Sequence, residues 1–88
     1  MIERYAKIAN QQGLHARPAA QIVKLASTFR SEIEVVKDGF AVNGKSIMGV
    51  MMLAAECGSA IMIRADGPDE LQAVDALADL VAQGFGEE

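Results

Sequence analysis

The pair Asp38-Gly39 stands between two short alternating stretches, Glu32-Ile33-Glu34-Val35-Val36 and Phe40-Ala41-Val42, and this arrangement decides what kind of sheet the chain builds. Asp-Gly suits a two-residue hairpin turn, whose central positions need positive φ. Strands joined so closely pair antiparallel, since a parallel pair needs a crossover of about a dozen residues or more. Two further stretches alternate. Residues 3–9 put Ala6 and Ile8 on one face and Tyr5 and Lys7 on the other, and Ala60–Ala65 turns Ile61, Ile63 and Ala65 inward.

Between the strands the apolar period changes from two to that of a helix. Ala19, Ile22, Val23, Ala26 and Phe29 predict a helix from about Ala16 to Ser27-Thr28. A short helix is expected from Ser46 to Leu53 or Ala55, broken by Cys57-Gly58. After the acidic turn Asp66-Gly67-Pro68-Asp69-Glu70, whose charge suits a helix start, Leu71, Val74, Leu77, Ala78, Val81 and Phe85 mark a long final helix. The order is βαββαβα, without internal repeat, linker or low-complexity segment. Eighty-eight residues predict one domain, 1–88, of the α+β class, with a four-stranded antiparallel sheet and helices over one face. Because 51% of residues are hydrophobic but only 5% aromatic, the core has to come from Ile, Val, Leu, Ala and Met.

A net charge of −4 argues against nucleic acid or an anionic membrane as partner. A local basic patch is still compatible with it. Arg17, Lys24, Lys45 and Arg30 are expected near the His15 end, with the acid carried by Asp66 to Glu70 and the tail Glu87-Glu88. No apolar run approaches the roughly 20 residues of a membrane span, and Met-Ile-Glu-Arg-Tyr lacks the features of a signal peptide. The expected location is the cytoplasm, without membrane insertion. Cys57 is alone, so no intramolecular disulfide is expected, and no Cys/His cluster suggests a metal. Its expected place is a helix end before Gly58.

The chemistry concentrates at Gly13-Leu14-His15-Ala16-Arg17-Pro18, which holds the only histidine. If the helix begins at Ala16, His15 is its N-cap. Unpaired first-turn N–H groups and a dipole of roughly +0.5 charge make such an end a site for phosphate or carboxylate. Pro18 fits the first turn, where its missing N–H costs no intrahelical bond. Arg17 adds a fork for anionic oxygens, and positive surroundings favour the neutral, nucleophilic imidazole. A neutral imidazole beside donors for the product's charge is suited to carrying a phosphoryl group.

In the short helix Ile47, Met48, Met51 and Met52 share one arc, while Val50, Leu53 and Ala54 lie opposite. The first arc is expected to be an exposed Met-rich patch of the kind that accepts several partners. Ser46 is placed to cap this helix. Gly39 to Ser46 also satisfies G-x-x-x-x-G-K-S, the pattern of a nucleotide-binding loop, but that loop follows a buried parallel strand and this one follows a hairpin.

Gly-Leu-His-Ala-Arg-Pro-Ala, together with Val42-Asn43-Gly44-Lys45-Ser46-Ile47-Met48-Gly49-Val50-Met51-Met52, resembles the HPr family, the histidine-containing phosphocarriers of the bacterial phosphotransferase system. The likeness extends over essentially the whole chain. It implies an open-faced β-sandwich, a phosphoryl group received from enzyme I on His15 Nδ1 and passed to an enzyme IIA protein, and no cofactor. It implies further that Ala16, Ala20, Lys24 and Ser27 join Ile47, Met48, Met51 and Met52 in docking partners. In many HPr proteins the serine matching Ser46 is phosphorylated by an HPr kinase, which here implies inhibition through the docking surface. A regulatory binding module is the alternative from another class, since relatives without the histidine act that way; His15, Arg17 and Pro18 count against it.

Overall fold

The computed structural model describes residues 1–87. Four strands and three helices follow in the expected order: β1 (Ile2–Lys7), α1 (Ala16–Ala26), β2 (Glu32–Lys37), β3 (Phe40–Asn43), α2 (Ile47–Met52), β4 (Ala60–Asp66) and α3 (Glu70–Ala82). A single 3₁₀ turn, Gly84–Gly86, follows α3. The hairpin forms as its turn dictates. Asp38 (φ 52°) and Gly39 (φ 81°) both take positive φ, and Lys37 pairs with Phe40. All neighbours in the sheet are antiparallel, in the order β1-β4-β2-β3, so β4 returns between the first two strands.

Alternation gives the sheet a buried and an open face. Ile33, Val35, Ile61, Ile63 and Ala65 are buried against the helices with Ala19, Ile22 and Ala26 of α1, Val50 of α2 and Val74, Leu77 and Val81 of α3. Each fully buried Val, Leu or Ile contributes about 1.5–3 kcal/mol relative to exposure. On the open face Arg64 of β4 donates to Glu3 of β1 (3.0 Å) and Glu34 of β2 (2.9 Å), a charged row across three strands. Tyr5, Met62 and Val36 form the adjacent row by register.

Both ends of the α1 to β2 connection are tied from outside. Lys45 Nζ donates to the Phe29 carbonyl just beyond α1 (2.9 Å), a cation where the helix leaves carbonyls unpaired. Asp69 is the N-cap of α3, yet its carboxylate accepts from Arg30 N (2.8 Å), Ser31 N (2.9 Å) and Ser31 Oγ (2.5 Å). These bonds hold it well below the usual carboxylate range, at about 2. Ser31 is buried, so the contact closes a polar site that packing would otherwise leave unpaired.

Several expectations need correction. Leu71 is exposed, because the inward face of α3 is set by Ala73, Val74, Leu77 and Val81. Phe85 is buried, but from the 3₁₀ turn at φ 58° rather than as a further turn of α3. Ala54, expected on the inward side of α2, is exposed at φ 48° just past the helix. Cys57 does not end a helix; it is exposed in the turn before β4.

Candidate functional site

The loop ahead of α1 is locked before it reaches the histidine. Gly13 takes φ 68°, and a Cβ there would lie 2.3 Å from the Ala55 carbonyl oxygen, so only glycine admits the close approach. Leu14 N–H donates to the same carbonyl (2.9 Å), and the Leu14 side chain is buried. Asn10, itself buried, donates from Nδ2 to the Gly13 carbonyl (2.8 Å).

His15 follows as the N-cap of α1, with extended backbone and no hydrogen bond from its side chain to the helix. Its carbonyl accepts the first helical bond, from Ala19 N (3.0 Å). Because Pro18 has no N–H, the backbone donors left open in the first turn are those of Ala16 and Arg17, and no acidic residue occupies that turn. Arg17 is exposed and makes no ion pair among the described residues. The imidazole opens into a depression of about 470 Å³ lined by Gln11, Gln12, His15, Ala16, Arg17 and Glu87. This arrangement offers a ring nitrogen, two backbone amides and a guanidinium to an arriving anion.

The charge around the ring differs from expectation. His15 Nε2 lies 3.1 Å from Glu87 Oε1, so the described part of the tail brings a carboxylate into the site rather than away from it. Glu87 also accepts from Asn10 Nδ2 (3.1 Å). The hydrogen bond from His15 is the main reason its carboxyl is held below the ordinary range, and burial works against it. The expected acid at Glu88 lies outside the described residues. Nor do the basic residues all gather here. Lys45 contacts Phe29, and Arg30 follows the C-terminal end of α1, so both lie at the opposite end of that helix from His15. Lys24 is in its last turn, which leaves Arg17 as the cation beside the ring.

The second helix lies alongside α1 in the opposite direction. Lys45, just before α2, reaches the C-terminal end of α1, and Ala55, just after it, touches the loop before α1. Ile47 (44% exposed), Met48 (76%), Met51 (41%) and Met52 (66%) point to solvent, while Val50 is buried. Ala16, Ala20, Lys24 and Ser27 of the adjoining α1 face are exposed as well, so all eight candidate docking residues are accessible. Ser46 is the N-cap of α2, with Oγ accepting from Gly49 N (3.1 Å). It sits by the far end of α1, which at 1.5 Å per residue is roughly 15 Å from His15.

The nucleotide-loop pattern does not form its structure. Phe40–Asn43 is an edge strand, Gly44 N donates to Ile33 O (2.7 Å), and the lysine is spent on Phe29 O. Asn10, Gln11, Gln12 and the approach of Glu87 belong to the site without being marked out by the sequence. A turn signal was present in Asn10 and Gly13. For Glu87, 72 residues from His15, local sequence carries none.

A family model described as "PTS HPr component phosphorylation site" matches residues 2–83. The chain is 49% identical to the phosphocarrier protein HPr of Cupriavidus necator, over 99% of this chain and 98% of that one. It is 48% identical to the HPr-like protein Crh of Halalkalibacterium halodurans, over 88% of this chain and 92% of the relative. Among solved structures, HPr-C-His from Thermoanaerobacter tengcongensis superposes with a TM-score of 0.95 at 50% identity, covering 100% of this chain and 99% of the other.

Proposed function

The chain belongs to the HPr family, the phosphocarriers of the phosphotransferase system, and from that membership we propose that His15 receives and hands on the phosphoryl group. The protein is a carrier, not an enzyme with turnover of its own. The observation that carries the assignment is the imidazole at the N-cap of α1, unengaged by the helix and facing the same depression as Arg17. The ring nitrogen lone pair bonds phosphorus as the bond to the donor breaks and its electron pair returns to the donor. Arg17 and the Ala16 and Arg17 amides balance the charge on the equatorial oxygens, while Pro18, in the first turn of α1, has no N–H to add there.

The donor is phosphorylated enzyme I and the acceptor an enzyme IIA protein, in a sugar-uptake or nitrogen-regulatory branch in the cytoplasm. Both dock on the surface formed by Ala16, Ala20, Lys24 and Ser27 with Ile47, Met48, Met51 and Met52. Its exposed methionines support this, because they adapt to more than one partner at little cost. Phosphorylation of Ser46 by an HPr kinase/phosphorylase adds roughly −1.5 to −2 charge at a helix N-terminus, which accommodates it. The remoteness of Ser46 from His15 favours inhibition through the docking surface rather than through the ring. No metal or organic cofactor is expected to be bound to this chain.

Incubation with enzyme I, Mg²⁺ and labelled phosphoenolpyruvate tests the assignment. Acid-labile label is expected in the parent, none in His15→Ala, and slow acquisition in Arg17→Ala. Label that persists in His15→Ala, or no label with an active enzyme I, refutes it.

A further inference from the structure

The contact between His15 and Glu87 joins parts of the chain that packing alone does not require to meet, and the tail is built to make it. Phe85 is buried in the core, and its carbonyl accepts from Gln21 Nε2 of α1 (3.3 Å). Glu87 N–H closes the 3₁₀ turn onto Gly84 O (2.9 Å). Asn10 then spends one amide donor on Gly13 O, inside the loop that presents His15, and also donates to Glu87 Oε1, leaving its own buried Oδ1 without a partner among the described residues. One side chain thus sets the histidine loop and the carboxylate against each other. The Glu87 side chain is only 17% exposed and that of His15 34%.

Resting on the reading of His15 as the phosphoryl acceptor, we propose that Glu87 is a positioning residue for it: the carboxylate accepts the Nε2 proton and so presents Nδ1 as the nucleophile. An ionised carboxylate has no proton to give, so a hydrogen bond between these atoms requires Nε2 to be the donor. Nδ1 makes no hydrogen bond among the described residues, and its lone pair is then the one available to phosphorus. When that lone pair forms the N–P bond, the Nε2 proton stays on the ring, which becomes cationic opposite Glu87. In the onward step the N–P electron pair returns to Nδ1 and a neutral imidazole leaves. A carboxylate that favours the protonated phospho-ring therefore keeps the phosphoryl group ready to depart, as an aspartate does for the imidazolium of a hydrolase triad. Among the described residues the other charged groups around the ring are Arg17, at the depression, and Glu56, exposed beyond Ala55 where the α2 exit meets Gly13. Neither is bonded to the ring; Arg17 steadies the ionised form of Glu87.

The test uses the full chain and its Glu87→Ala and Glu87→Gln variants, with thermal melting to establish that each is folded. In the unphosphorylated protein, ¹⁵N-histidine NMR reads the tautomer of the neutral ring. The parent is expected to be predominantly Nε2-protonated; that excess falls about two- to fivefold in Glu87→Ala, the scale of a partly exposed charged pair, and is largely retained in Glu87→Gln, whose amide oxygen still accepts. In the phosphorylated protein, both variants should shift the pH profile of phosphoryl hydrolysis to lower pH and lengthen the half-life on its slope about two- to fivefold. Unchanged tautomer and hydrolysis profiles in Glu87→Ala overturn the positioning role while leaving His15 as acceptor. Failure of the parent to take label from active enzyme I overturns the acceptor reading itself, and the positioning role with it.

Discussion

Gly13→Ala tests whether the histidine loop is held by the close approach to Ala55. Gly39→Ala supplies the reference, because its φ of 81° is also left-handed but nothing lies within 4 Å of the Cβ it would gain. A non-glycine residue in that region costs about 1–2 kcal/mol. The stiffer unfolded chain returns about 0.4–1 kcal/mol of this. Gly39→Ala should therefore lose about 0.5–1 kcal/mol by these two contributions. At Gly13 the new Cβ would stand 2.3 Å from Ala55 O and 2.9 Å from Glu56 Cα, both inside the 3.0 Å that real Cβ atoms respect. The loop must retreat by roughly 1 Å, which breaks the 2.9 Å bond from Leu14 N to Ala55 O between two buried residues. Leaving buried backbone groups unpaired adds about 1–3 kcal/mol, for a total of about 2–4 kcal/mol. In a domain of this size that lowers Tm by about 10–25 °C. Calorimetry and urea unfolding of both variants measure the difference, and phosphoryl uptake should fall in Gly13→Ala even below its melting range. Equal losses within about 0.5 kcal/mol, the usual spread for a surface change, would refute the steric argument.

Other consequences separate the scaffold from the site. Ser46→Ala removes the cap on α2 and should cost about 0.5–2 kcal/mol in chemical unfolding without affecting labelling of His15 in the folded protein. Met48→Asp with Met51→Asp should leave the melt within about 1 kcal/mol of the parent, since both side chains are exposed, yet raise the protein concentration needed for half-maximal transfer from enzyme I. A normal concentration dependence would remove the Met patch from the docking surface. Asp69 is held at about 2 against an ordinary 3.8, so its stabilising contribution is full above that ordinary value and disappears as pH falls through about 2. Asp69→Asn should therefore be less stable than the parent near neutral pH, with the gap closing between about pH 4 and 2; a gap that stays constant in acid would contradict the assignment of these bonds.

The legible parts of this molecule were those encoded over a few residues. Asp38-Gly39 specified a hairpin, the alternation around Ile61 and Ile63 specified which face of β4 is buried, and the arc of Ile47, Met48, Met51 and Met52 identified an exposed surface. The start of α1 at Ala16, with His15 as its N-cap, followed from helical spacing and Pro18. Contacts between distant segments were not legible. Lys45 was expected beside His15, but α2 runs antiparallel to α1 and carries it to Phe29. The tail acid was expected elsewhere, but the reversal at Gly84–Gly86 buries Phe85 and delivers Glu87 to the ring. Asn10 reads as an ordinary turn residue until the tail is present to receive its second hydrogen bond.

The most direct test of the carrier account is mass spectrometry of the intact protein and its peptides, kept at alkaline pH after phosphorylation by enzyme I and phosphoenolpyruvate. One phosphoryl group is expected, located on the peptide containing His15 and discharged when a cognate enzyme IIA protein is added. A phosphoryl group on another residue, or one on His15 that no enzyme IIA protein of the same bacterium removes, would contradict it.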